Sequence, residues 1–398
     1  MTIPTQPQRH GVRPRPRGRF KVGPLHLTPR LELRNAGVDT NVFNSQTNPV
    51  PDTSVVLRPS VDAVLPYGRR LRVTGGAYLD LNYYRRFTSE RSTDFGGEGL
   101  AELEVGPLVL FGGAGGGQGK QRFSIDVDQR VLRQERWLAA GVVLGVGPRI
   151  SFTGSAGERV SRFGNLLVGG SSVADQLDRS ERTAAVQGRF ALTRQTTVLA
   201  SAEAIEDLFL RQREGTRVAH SWRYLGGLEF GDTGLLSGRV LLGVRRFPTS
   251  RPGAVPPYSG LAASVTTGLS LFGQGRLTVQ AERDVSYAAV PTSAASESLR
   301  NSYVRTRYGT DAVVGLPLNL IGRSFASFEQ ARYIRPYPHG ASFAPRVDHQ
   351  WTVGGSLLLR VSDGLRLGGT VAWSRRRSNF EGASYQGLRY GLQGELVP

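Results

Sequence analysis

From about residue 26 to the end, apolar and polar residues alternate with a period of two. In one stretch Leu71, Val73, Gly75, Ala77, Leu79, Leu81 and Tyr83 fall on one side, and Arg70, Arg72, Thr74, Tyr78, Asp80, Asn82 and Tyr84 on the other. A second stretch sets Leu365, Leu367, Gly369, Val371 and Trp373 against Arg366, Gly368, Thr370, Ala372, Ser374 and Arg376. One face is apolar and the other polar or charged, which predicts β-strands, and no segment shows a convincing helical period. Two kinds of connection alternate between the strands. Short turns rich in Gly, Pro, Asp and Asn are predicted at 66–69, 106–107, 147–149, 193–196, 231–234, 273–275, 316–322 and 362–364. Long polar loops are predicted near 38–52, 86–93, 122–130, 163–180, 212–217, 247–258, 289–300, 335–346 and 377–384. Eight short and nine long connections join about 18 antiparallel strands, with both termini on the short-turn side; 16 strands is the alternative. Each strand with its connection takes roughly 21 residues, more than the strands of soluble sheets need.

An apolar face repeated on so many strands, with no helix to cover it, needs another cover. A lipid bilayer supplies one, and a closed sheet satisfies every backbone N–H and C=O where no water is available. The fold class is therefore all-β: a closed, antiparallel, up-and-down transmembrane β-barrel. The longest charge-free apolar run, Trp137 to Pro148, has 12 residues, too few for a membrane-spanning helix but ample for a tilted strand. Aromatic residues cluster toward strand ends beside the long loops: Tyr83, Phe87, Phe95, Trp137, Trp222, Tyr224, Phe247, Tyr287, Tyr333, Trp351 and Trp373. They are expected to form an interfacial girdle.

Composition narrows the chemistry. The chain has 398 residues, no Cys, and 50 basic against 32 acidic residues, a net charge of +18. Without cysteine there is no thiol catalysis or thiolate zinc site, and the five histidines never fall at ligand spacing. Neither a metal nor another cofactor is expected. Only Lys21 and Lys120 are lysines. Residues 1–24 are Pro-rich and basic with no acidic residue, and are expected to be a disordered tail ahead of a barrel over 25–398. Residues 1–25 hold no apolar export signal, so an outer-membrane destination implies either a start upstream of the one given or a truncated or mature chain. A basic soluble nucleic-acid binder would have to leave long alternating strands uncovered, and no nucleic-acid partner is expected.

Motifs for catalysis are weak. Residues 114–121 imitate a phosphate loop, yet Gln121 stands where Ser or Thr would hold magnesium and no helix follows. The Gly run is better read as bare strand that a neighbouring side chain can approach closely. No Gly-x-Ser-x-Gly elbow occurs, and the chain is not expected to be an enzyme. The candidate site is instead the inward face, phased to place Arg70, Arg72, Asp80, Glu102, Arg189, Arg223, Arg239, Arg245, Arg276, Glu282, Arg305, Arg307, Arg332, Arg366 and Arg376 in the lumen. The expectation is an aqueous channel with an arginine excess, constricted by loop 163–180 or 247–258.

The segment Leu27 to Phe43, with Gly37, Asp39, Asn41, Val42 and Phe43 in a Gly-x-Asp-x-Asn-Val-Phe turn and Arg58-Pro59-Ser60 in the following strand, resembles the opening of β-barrel porins linked to exopolysaccharide secretion loci. The resemblance implies a Gram-negative outer-membrane conduit for a secreted polysaccharide. It would work with periplasmic and inner-membrane export proteins and be inserted by the outer-membrane assembly machinery. Alternatives are a general or anion-preferring diffusion porin and a non-conducting scaffold or adhesin.

Overall fold

The computed structural model describes residues 19–122, 128–168, 171–211, 218–231, 235–248, 257–271, 274–288, 302–334, 337–339 and 342–398. Eighteen long strands form the wall. They are β1 (Leu25–Asp39), β2 (Asp52–Tyr67), β3 (Leu71–Tyr84), β4 (Ser92–Val105), β5 (Leu108–Gln121) and β6 (Val131–Val146). Next come β7 (Ile150–Phe163), β8 (Arg179–Ala191), β9 (Thr196–Phe209), β10 (Val218–Phe230), β11 (Leu236–Phe247) and β12 (Tyr258–Leu271). The last third is β13 (Gly275–Tyr287), β14 (Ser302–Leu316), β15 (Leu320–Tyr333), β16 (Val347–Arg360), β17 (Leu365–Ser378) and β18 (Tyr385–Leu396). Each strand pairs antiparallel with its neighbours in sequence, and β18 returns to β1 with Leu31 opposite Leu396 and Asp39 opposite Arg389, so the sheet closes.

Short turns join the strands at one end and long connections at the other, in the strict alternation read from the sequence. Backbone conformation explains the residues at the turn tips. Gly106 and Gly147 take φ of +59° and +68°, where a side chain would be strained. Within the segment assigned to the tail, Phe20–Val22 forms a short strand against Leu25–Leu27; residues 1–18 lie outside the described residues.

Strand pairing fixes which way each side chain points. On β6 the outward positions are Leu138, Ala140, Val142, Leu144 and Val146, and the inward ones Arg133, Glu135, Trp137, Ala139 and Val143. Neighbouring strands repeat the division. Leu138 is 63% exposed, Val186 62% and Leu392 64%, and an apolar surface of this extent around a whole wall needs a non-aqueous cover. The β3 alternation is as expected: Leu81 and Tyr83 face out, while Asp80 faces in and pairs with Arg58.

The aromatic expectation divides. Tyr83, Phe95, Trp222, Tyr224, Trp351 and Trp373 face outward, joined by Tyr308, Phe328 and Tyr390. Phe87 lies in a loop, edge-on to Phe43 at 4.7 Å. Trp137, Phe247, Tyr287 and Tyr333 instead face inward and are buried or nearly so, because they share the parity of inward neighbours or sit where the chain folds into the barrel. The glycine run of β5 is occupied as the sequence suggested: the Trp137 ring lies across Gly113 and Gly115, and a Cβ at Gly115 would fall 2.7 Å from Trp137 Nε1.

Candidate functional site

The inward face carries most of the expected residues, in pairs. Arg72 stands opposite Glu102, and Asp80 accepts hydrogen bonds from Arg58 with Arg34 3.7 Å away. Arg189 and Arg239 share Glu229. Arg223 lies between Glu203 and Asp284, the latter at 2.8 Å, and Arg245 reaches Asp284 at 2.7 Å and Ser221 at 3.1 Å. Arg305 forms a two-toothed pair with Glu329 at 3.0 Å, Arg366 binds Glu395 at 2.7 Å, and Arg276 donates to Ser237 at 3.1 Å. Glu282 stands opposite Arg307. Such pairing follows from geometry, since side chains directly opposite on antiparallel strands sit within reach of one another.

Three corrections follow. Arg332 faces outward: it lies three residues from the inward Glu329, an odd spacing that a period of two cannot place on one face. Arg70 sits in the short turn between β2 and β3, outside the wall. The lumen also lacks the arginine excess expected, because the inward strands supply Asp62, Asp94, Glu98, Glu135, Glu181, Asp311 and other acids in near balance with the arginines.

The long-loop end of the lumen is narrowed by three elements. The first is the connection between β5 and β6. Its Asp128 binds Arg376 of β17, across the mouth from a strand separated from β5 by β18 and β1–β4. Arg376 is 2% exposed and stacks on Tyr385 at 5.0 Å, and Arg122 of the same connection donates to the Val42 carbonyl. The second is the connection after β7. There the five-residue helix α1 (Val173–Leu177) presses Val173, Ala174 and Leu177 against the inward Val131 and Phe163, with Asp178 accepting from the Phe163 N–H at 2.6 Å and pairing with Arg211 at 2.7 Å. Burial raises the Asp178 carboxyl above the usual carboxylate range, against the pull of the Phe163 N–H and of Arg211. The third is the end of β13. Its pairing with β12 stops at Arg283, and beyond that point the strand parts from β12 and turns inward while staying paired with β14 as far as Tyr287 opposite Ser302. On β12 the Tyr258 ring covers the inward position Gly260. Val285 then packs on Ala219 and Phe247, and the Tyr287 hydroxyl reaches Asp207 on β9 at 2.6 Å.

Of the two loops expected to constrict the pore, the described part of 163–180 folds inward through α1; 249–256, most of the other, lies outside the described residues. The connection at 122–130 and the turning-in of β13 were not foreseen. Below the narrowing lies a cavity of about 660 Å³ whose lining includes Arg133, Arg179, Asp207, Arg245, Arg305 and Glu329. A second cavity of about 450 Å³ continues down the barrel and shares Glu203, Arg223, Glu282, Asp284 and Arg307 with it. Among the described residues, no group of three His, Asp or Glu side chains is placed to hold a metal ion.

The motif residues have a local explanation at the seam. Gly37 approaches the Tyr390 carbonyl and Gly391 so closely that a Cβ would collide with them. Asp39 binds Arg389 at 2.6 Å and accepts from the Asn41 N–H at 3.0 Å. The Asn41 amide donates to the carbonyls of Ser45 at 2.8 Å and Gln386 at 2.9 Å, tying the first loop to β18. These residues close the barrel.

No protein-family model matches the sequence, and no curated protein matches it. Among solved structures, the chain is similar to the siderophore receptor PirA from Pseudomonas aeruginosa, with 9% identity and a TM-score of 0.46, covering 96% of this chain and 81% of that one. It is also similar to the outer membrane protein OpdK from the same organism, with 10% identity, a TM-score of 0.48 and coverage of 94% and 99%. Similarity at this level carries no argument about what passes through the pore.

Proposed function

We propose that the protein is an outer-membrane channel through which small polar solutes diffuse, with a modest preference for anions. The observation that supports this is the division of one closed wall into an apolar outer face and a polar inner face lined by arginine–carboxylate pairs, with connected cavities between. On this reading the long connections, which are extracellular in outer-membrane barrels, put the narrowed end on the cell's outer side. Paired charges solvate a permeating ion without trapping it. Near balance between the signs predicts weak rather than steep selectivity. The polysaccharide conduit remains a second reading, favoured by the resemblance of Leu27 to Phe43. It requires the Asp128–Arg376 bridge, α1 and the Tyr287 contact to withdraw, since an extended polymer must pass the mouth they narrow.

Refolded protein in a planar bilayer under a salt gradient tests the proposal. Discrete conductance steps with a small reversal potential of anionic sign are expected. A barrel that inserts but never conducts, even when the Asp128 bridge is removed, contradicts a diffusion channel, and strong cation selectivity contradicts the role given to the arginines.

A further inference from the structure

The arginines missing from the lumen balance stand partly on the outer wall, and their surroundings differ between its two sides. On β7 to β10 the mid-wall outward charges pair with one another: Arg182 lies 3.3 Å from Glu158 and 3.5 Å from Glu206, and His220 lies 3.6 Å from Glu206, with Arg162 the exposed outward arginine at the long-loop end of β7. On β14 to β18 no outward strand position is acidic. There Arg332 and Arg377 are exposed and Arg375 half-buried, all at the long-loop ends of their strands, and among the described residues none forms an ion pair. Strand pairing gathers them: Arg377 is opposite His349, Arg375 opposite Trp351, and Arg332 opposite Val347.

Directly below runs a ladder of rings. Phe328 stacks on Tyr308 at 6.3 Å, on His349 at 5.9 Å and against Trp351 at 5.4 Å. Lower still on the same strands the outward residues are apolar, with Val353, Leu357 and Val371 each about half exposed. From the rim downward the wall thus offers cations, amphipathic rings and aliphatic surface. That is the order of groups along an anionic amphiphile: charged head, polar–apolar boundary, acyl chain.

We propose that the outward cluster of Arg332, Arg375 and Arg377 binds the phosphate groups of a phosphorylated lipid in the outer leaflet. The proposal rests on the reading of the chain as a membrane barrel. Guanidinium groups match phosphate oxygens in geometry and charge, and the absence of outward carboxylates among the described strand positions of β14 to β18 leaves the cations available to an external anion. The self-paired row on β7 to β10 lacks that availability, and Arg162 and Arg246 stand singly at their strand ends, so the lipid is held where three arginines gather.

The test uses the full chain in bilayer discs of phosphatidylcholine doped with lipid A. The folded state of every variant is checked by its heat-sensitive migration, and retained lipid is counted by native mass spectrometry. Wild type is expected to keep lipid A and to keep dephosphorylated lipid A poorly. The triple change R332Q/R375Q/R377Q is expected to lower the affinity about a hundredfold, at roughly fivefold per interfacial arginine, while the lysine versions at the same sites retain most of it and R182Q, in the self-paired row, leaves it unchanged. Equal retention by wild type and the folded triple variant overturns the proposal, as does indifference to the phosphates, or a wild type that carries a second protein copy on this face instead of lipid. Failure of wild type to enter discs at all would overturn the membrane reading itself, and is seen separately in the migration and insertion checks.

Discussion

The Asp128–Arg376 bridge is the contact whose removal says most about the pore. Arg376 is 2% exposed and is also held by the Ala383 carbonyl and the Tyr385 ring, so it stays in place when Asp128 becomes alanine. What is lost is a hydrogen-bonded ion pair between a buried guanidinium and a carboxylate that is partly exposed. Hydrogen bonds to charged groups contribute about 1.5–3 kcal/mol, and the partial exposure of Asp128 favours the lower part of that range. At about 1.4 kcal/mol per tenfold, the ratio of folded-in to released connection falls roughly ten- to thirtyfold. Only one of the three narrowing elements is touched, so α1 and Tyr287 should hold the mouth partly closed. In planar bilayers D128A is expected to show a larger or longer-lived open level than wild type. R376Q should show the same, and the double variant should add little to either, since both act on one contact. Single-channel records of D128A indistinguishable from wild type, or a double variant equal to the sum of two independent effects, would refute the assignment of this bridge as a mouth-narrowing contact.

Four further outcomes follow from the same structure. G115V forces a side chain into the Trp137 ring and the Gly97 carbonyl and should cost about 1–3 kcal/mol, read as a lower urea midpoint of the refolded barrel. N41A removes the amide that ties the first loop to Ser45 and Gln386 and should lower the temperature at which the barrel loses its compact migration, by about 1–3 kcal/mol of stability. R223A leaves Glu203 and Asp284 without their shared cation, so the reversal potential under a salt gradient should move toward cation preference. For Asp178, burial makes the packed connection bind a proton more readily than a released one. Its packing is therefore most stable below the ordinary aspartate value of about 3.9 and weakens as pH rises through the raised one, so acidification should shorten open times and D178N should abolish that dependence.

How far the sequence carried the account depends on the element. The alternation of β3 and β17, the turn residues at Gly106 and Gly147, and the unequal connections determined strand number, closure and phase, because a two-residue period with one apolar face allows one register. The lumen was legible where that period holds over a whole strand, as for Arg223 and Arg245. It failed at strand ends. Near Arg332 the chain leaves the bilayer, both faces become polar, and polarity no longer marks the inside. Trp137 has the residue type of an interfacial girdle but shares parity with Arg133 and Glu135, and parity decides its inward place. Tyr287 carries no local signal, since its place depends on β13 parting from β12 beyond Arg283 while it stays paired with β14, and its partner Asp207 lies on a different strand. The Asp128–Arg376 bridge joins residues 248 apart in sequence, a pairing that no local pattern encodes.

The central claim is that one closed wall has lipid outside and water inside, and the absence of cysteine from the chain makes it directly measurable. Single cysteines placed in turn from Ala77 to Tyr83 on β3 can carry a spin label in the refolded, bilayer-inserted protein, with accessibility read from relaxation by oxygen and by a water-soluble nickel complex. Labels at Ala77, Leu79 and Leu81 should respond to oxygen and labels at Tyr78, Asp80 and Asn82 to nickel, in strict alternation. Nickel access at every position, or alternation in the opposite phase, would contradict the barrel described here.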